Sequence, residues 1–104
     1  YNGVRQPKLT ENHGISGHIY WLIFPSQYSL ENFMAHMNRN GIQVTSHYQA
    51  LHSSIAGVRY GKSAGKFVNT DLASNNLIRL PINADLKPEL QRYIIEKTLE
   101  FVCE

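Results

Sequence analysis

The stretch from Ser46 to Gly61, SHYQALHSSIAGVRYG, gathers two histidines, two tyrosines and an arginine among small residues. Imidazole and phenol each combine an apolar ring with a polar edge, so His47, Tyr48 and His52 can stack on a ligand and hydrogen-bond to it. On a loop that follows a strand, such side chains are well placed to contact a ligand. Arg59 and Lys62 add positive charge that can reach a phosphate, although solvation alone also explains a loop cation. Taken singly, a histidine or tyrosine in a loop is more often solvated or locally hydrogen-bonded than a ligand contact.

Other chemistries fit less well. Gly57-Val58-Arg59-Tyr60-Gly61-Lys62-Ser63 looks like a phosphate-binding loop, but it has three residues between its glycines where that motif needs four. His47 and His52 are not at the i, i+4 spacing of a helical metal pair, and no nearby cysteine or carboxylate completes a site, so no metal is expected. Cys103 sits in the last turn of an expected helix with no base arranged beside it.

The elements that must position these residues follow from hydrophobic period. His18 to Pro25, HIYWLIFP, is an apolar and aromatic run of strand length ended by a proline. Ser29 is the expected cap of a helix in which Leu30, Phe33, Met34 and Met37 share one face, and Asn40-Gly41 supplies its stop. Ile42, Val44 and Ser46 then alternate with Gln43, Thr45 and His47 in an extended segment covered on one face, which delivers His47 and Tyr48 to its end. His52 to Asn69, with Gly57, Gly61 and Gly65, has no period and is expected to be a mobile loop. Thr70 is expected to cap a short helix through Leu77. Ile78, Leu80 and Ile82 alternate around Pro81 as a short strand at a sheet edge. Pro88 opens a final helix through residue 103, with Leu90, Tyr93, Ile94, Phe101 and Val102 on its stripe.

These patterns predict an α/β two-layer sandwich, a small, mostly antiparallel sheet of about three strands with helices on one face. At 104 residues with 42% hydrophobic content the chain can bury one modest core. Residues 1–15 read as a linker arm and residues 16–104 as the folded domain. The chain begins at Tyr1 rather than Met, which suggests a piece of a longer protein. A formal charge of +2 argues for neither nucleic acid nor an anionic membrane surface. The lone Cys103, with no signal-peptide pattern and no long apolar run, makes a soluble cytoplasmic protein the default.

Gly17-His18-Ile19-Tyr20, Gly41-Ile42, His47-Tyr48-Gln49-Ala50-Leu51-His52, Gly57, Gly61, Leu80-Pro81 and the helix from Pro88 occur in one order. In that order they resemble the carboxy-terminal part of the DegT/StrS nucleotide-sugar aminotransferases, from about Gln6 to the end of the chain. The nearest likeness is to enzymes of the dTDP-4-amino-4,6-dideoxygalactose transaminase type, which aminate a dTDP-linked 4-keto-6-deoxyhexose for cell-surface polysaccharide or lipopolysaccharide. Ala50 and Ile55 stand where such relatives usually have proline, which frees the loop, and Lys87 stands where a capping Thr or Ser is usual.

The resemblance implies a small domain of a pyridoxal 5'-phosphate enzyme that works as a homodimer. None of Lys8, Lys62, Lys66, Lys87 and Lys97 matches the family's Schiff-base context, so catalytic and cofactor-binding residues are expected in a missing large domain. This chain alone is then expected to bind no cofactor and to be inactive. His47, Tyr48, His52 and Arg59 are the implied contacts to the nucleotide-sugar substrate, while His18 is expected to hydrogen-bond at a strand start. Without the large domain an aromatic-rich face is expected to self-associate. The competing reading is a stand-alone, non-catalytic α/β binding module or degenerate aminotransferase remnant.

Overall fold

A computed structural model describes residues 3–8 and 16–103. Residues 1, 2 and 9–15 of the expected arm lie outside the described residues. The order is β1 (Tyr20–Ile23), α1 (Gln27–Arg39), β2 (Thr45–Ser46), a single 3-10 turn (Leu51–Ser53), α2 (Ile55–Tyr60), α3 (Val68–Asn76), β3 (Leu77–Leu80) and α4 (Pro88–Val102). The three strands form an antiparallel sheet in the order β1-β3-β2.

Period 2 decides which strand residues enter the core. Leu22 and Phe24 are buried, and Leu22 lies opposite Ile78 of β3, which is fully enclosed. α1 and α4 cover this face. Phe33 and Met37 from α1 and Ile94 and Val102 from α4 join Leu22, Phe24 and Ile78 in one core. The Phe24 and Phe33 rings lie 4.8 Å apart, and Phe101 meets Phe33 edge-on at 5.4 Å, an arrangement the ring quadrupoles favour. Trp21, Ile23, Thr45 and Arg79 point to the opposite face.

α1 starts earlier than its apolar period suggests. Ser26, not Ser29, is its cap: the Ser26 hydroxyl accepts the Ser29 backbone N–H at 3.1 Å. Its end follows the sequence signal. Gly41 takes φ +72°, and backbone bonds from Gly41 to Asn38 (3.0 Å) and from Ile42 to Met37 (2.9 Å) satisfy the last carbonyls.

β3 is central, not an edge strand. It stops at Leu80, so Pro81, which has no N–H to donate, lies beyond the ladder and does not interfere with it. The outer edge of β1 is met by residue Arg5, which exchanges two 2.9 Å backbone bonds with Ile23. At the other end Asn76, buried, donates its side-chain amide to the Phe24 carbonyl at 3.1 Å and accepts the Phe24 N–H on its own carbonyl at 3.0 Å.

Of the segment His52 to Asn69, expected to be a mobile loop, His52 to Tyr60 belongs to the 3-10 turn and α2, and Val68 and Asn69 open α3. Ser54 caps α2 by accepting the Gly57 N–H at 3.0 Å, while its hydroxyl donates to the Leu51 carbonyl at 2.9 Å. Gly57 lies so close to the 3-10 turn that an added Cβ would stand 1.6 Å from the Leu51 carbonyl oxygen. Thr70 is likewise inside α3 rather than at its cap; the helix begins at Val68 after Phe67. α4 opens on Pro88 as its sequence indicates, and Lys87 before it makes no side-chain cap bond.

Candidate functional site

The sheet face turned away from α1 and α4 carries the candidate residues. Arg79 pairs in register with Thr45 on one side and Trp21 on the other. Thr45 and His47 are two residues apart, so His47 shares their face. Beyond His47 the chain is pinned to α3, because the buried Ala50 donates its N–H to the Ser74 hydroxyl at 3.1 Å. That anchor leaves Tyr48 on a short exposed span.

Tyr48 is 74% exposed, and its ring meets two neighbours. The His47 ring centroid is 5.2 Å away, and the Arg79 guanidinium carbon lies 5.3 Å over the ring. Arg79 also donates through Nη2 to the Ser46 carbonyl at 3.3 Å. Two nitrogens here, His47 Nδ1 and Arg79 Nε, are buried with no hydrogen-bond partner among the described residues. Buried polar atoms are ordinarily satisfied, so this orphaned pair singles the place out as a candidate site. His47, Tyr48 and Gln49, with Asn69, Thr70 and Ser74 of α3, line an adjoining depression of about 420 Å³.

The other two residues expected to bind substrate lie apart. His52 Nε2 is 2.8 Å from Asp71 Oδ1, and its ring stacks on Phe67 at 4.8 Å. It faces a second depression, of about 590 Å³, with Lys62, Ser63 and Gly57. Arg59 is exposed on α2 with its guanidinium 5.1 Å over Tyr60, and it lines neither depression. His18, exposed, hydrogen-bonds through Nδ1 with the Ser16 hydroxyl. Arg79 was not singled out by sequence reasoning, yet a signal existed: it alternates with Ile78 and Leu80, which places a cation on the face away from the core.

A third cavity, of about 350 Å³, lies on the helix side between β1, β3 and α4, bounded by Tyr20, Leu80, Ile95 and Leu99. Its lining carries no charged side chain. Among the described residues no helix is long and apolar enough to cross a membrane.

A model of the DegT/DnrJ/EryC1/StrS aminotransferase family matches residues 2–99. The chain belongs to this family. No curated protein matches it significantly. Among solved structures, the aminotransferase TlmJ from Streptoalloteichus hindustanus superposes with TM-score 0.81 at 19% identity, over 99% of this chain and 27% of its own. DesV of S. venezuelae, in complex with a ketimine intermediate, gives TM-score 0.84 at 17% identity over 98% of this chain and 27% of its own. Spr1654 from Streptococcus pneumoniae, assigned as a sugar aminotransferase and in its PMP form, gives 0.74 at 24% identity over 94% of this chain and 25% of its own. At these identities the likeness concerns the fold, and the chain spans about a quarter of the length of these structures.

The DegT/DnrJ/EryC1/StrS family is pyridoxal-phosphate dependent, and its cofactor chemistry requires a lysine amine that can shed its proton. The lysines described here do not fit that role. Lys8, Lys62, Lys66 and Lys87 are exposed. Lys97 donates to Glu100 at 2.7 Å, and this bond holds its ammonium above the ordinary value of 10.5, against what a Schiff base needs. No step of amino transfer is therefore assigned to this chain.

Proposed function

We propose that the chain is the carboxy-terminal small domain, residues 16–104 with residues 1–15 as linker, of a sugar-nucleotide aminotransferase. In this reading the sheet face turned away from α1 and α4 forms one wall of the substrate cleft. The observation that carries the reading is the pair of orphaned nitrogens, His47 Nδ1 and Arg79 Nε, beside the exposed phenol of Tyr48. Buried polar nitrogens are ordinarily paired, and a cleft wall is a place where a bound ligand completes that pairing.

The substrate is a dTDP-linked 4-keto-6-deoxyhexose and the product an amino sugar for cell-surface polysaccharide or lipopolysaccharide. His47 hydrogen-bonds the hexose or its phosphate, and Tyr48 stacks on it. Pyridoxal phosphate, held by the large domain, supplies the electron sink for amino transfer. The enzyme is a cytoplasmic homodimer. His52 holds the turn through Asp71 and Phe67 at the cleft's edge, and Arg59 reaches the nucleotide side.

The test uses the complete protein that contains this chain. His47→Ala and Tyr48→Ala are each expected to lower kcat/KM for the sugar nucleotide at least tenfold, or about 1.4 kcal/mol, mostly through KM. Unchanged KM and kcat in both would eliminate the role.

A further inference from the structure

The stop that ends α1 is also a reactive dipeptide. In an Asn-Gly pair the glycine has no Cβ, so its nitrogen can approach the asparagine side chain unhindered. We propose that Asn40–Gly41 is a site of slow, spontaneous deamidation, held in check by the end of α1, and that its product displaces β2. The inference does not depend on the aminotransferase reading.

The reaction needs only water. The Gly41 nitrogen bonds to Asn40 Cγ, the Cγ–Nδ2 bond breaks, and Nδ2 leaves as ammonia, taking up through solvent the proton that the Gly41 nitrogen gives up. Water then opens the cyclic imide at either carbonyl. One opening gives aspartate. The other gives isoaspartate, in which the main chain runs through Cβ and Cγ and is one carbon longer.

Exposure favours the reaction and geometry opposes it. Gly41 is exposed, and a Cβ added there would meet nothing within 4 Å, so water and hydroxide reach the pair. Yet each reacting group is tied. The leaving amide, Asn40 Nδ2, donates to the His36 carbonyl at 2.9 Å. The nucleophile, the Gly41 nitrogen, donates its proton to the Asn38 carbonyl at 3.0 Å. From α4, the Tyr93 hydroxyl donates to the Asn40 carbonyl at 3.2 Å and so restrains the peptide plane between the two residues. Ring closure needs Asn40 Cβ and the Gly41 nitrogen on the same side of the Cα–C bond. At ψ 11° that nitrogen is eclipsed instead with Asn40's own nitrogen. Reaction therefore goes through local opening of the helix end, in which these ties are released together.

The product acts on β2 because the path between them is short. Ile42 and Val44, both buried in the core, follow Gly41 directly, and Thr45 and Ser46 then pair with Arg79 and Ile78. An extra main-chain carbon at residue 40 must shift those two core side chains or break the α1 stop. Either product also sets a carboxylate against the His36 carbonyl, at the negative end of the helix.

The experiment ages the complete protein that contains this chain at fixed pH and temperature, folded and in guanidinium chloride. Peptide mapping follows the tryptic fragment from Asn40 to Arg59, which carries the mass change of amide to acid and separates the two isomers. Deamidation is expected to be at least about tenfold slower in the folded protein. Tyr93→Phe should speed it roughly fivefold when folded and leave the rate in guanidinium chloride unchanged. Folded protein enriched in isoaspartate at residue 40 should show faster amide exchange in residues 42–46 than unmodified protein.

Equal rates folded and denatured overturn the restraint by α1, whatever the variant does. A folded Tyr93→Phe within twofold of the parent overturns the tie from α4. Unchanged exchange in the isoaspartate form overturns the displacement of β2. None of these readouts involves amino transfer, so their failure is separate from failure of the proposed activity.

Discussion

Replacing Gly57 by alanine sets two effects of opposite sign against each other. Alanine in a helix is favoured over glycine by about 1 kcal/mol, so propensity alone predicts a more stable α2. The structure predicts the reverse. The new methyl would stand 1.6 Å from the Leu51 carbonyl oxygen, where ordinary contact begins at 3.4 Å, so the two segments must part by about 1.8 Å (3.4 − 1.6). Overpacking of that kind costs about 1–3 kcal/mol, and the displaced Ser54 cap costs about 1 kcal/mol more. The net is a loss of about 2 kcal/mol, or roughly a 30-fold rise in local opening. A six-residue helix has no stability of its own, so α2 should melt as a unit once it leaves the 3-10 turn. Limited trypsin digestion measures this at Arg59, within α2, because cleavage follows the open population when opening is fast. Cleavage there should accelerate roughly 30-fold while the thermal midpoint of the whole domain moves little. A cleavage rate within twofold of the parent, or an equal loss of global stability, would refute the reasoning.

Two further substitutions test the frame that carries the site. Ser26→Ala should lower the urea midpoint by the equivalent of about 1 kcal/mol, and Ser29→Ala by clearly less, since Ser26 is the cap acceptor. Asn76→Ala removes the donor to the buried Phe24 carbonyl and should cost about 1–3 kcal/mol, seen in the same titration; Asn76→Asp should cost more, because a carboxylate then faces that oxygen.

The parts of the fold legible in the sequence are those in which period and punctuation agree. The apolar run through Leu22 and Phe24, the stripe of Leu30, Phe33 and Met37 with its Gly41 stop, and the helix opening on Pro88 all appear where side-chain spacing puts them. Errors arose where a single residue was read without its neighbours. Ser29 looked like a cap because it directly precedes Leu30, but the polar residues Ser26 and Gln27 allow an added turn. Pro81 suggested an edge strand because proline forbids a central ladder, yet the ladder ends one residue earlier. The order of Leu51 to Tyr60 was hidden by glycine content: Gly57 signals flexibility in isolation, whereas here its missing side chain permits the close approach of two backbone segments. For the site, His47 and Tyr48 were legible as polar rings at a strand end. Their separation from His52 was not, since the His52–Asp71 bond spans 19 residues. Arg79 required the register of a strand assigned to the wrong place in the sheet.

The most direct measurement is hydrogen–deuterium exchange on the complete protein with and without a sugar nucleotide. The account predicts ligand-dependent protection in residues 45–50 and 77–80, with little change in the outer turns of α4. Protection confined to the apolar cavity beside α4, or none in either segment, would contradict it.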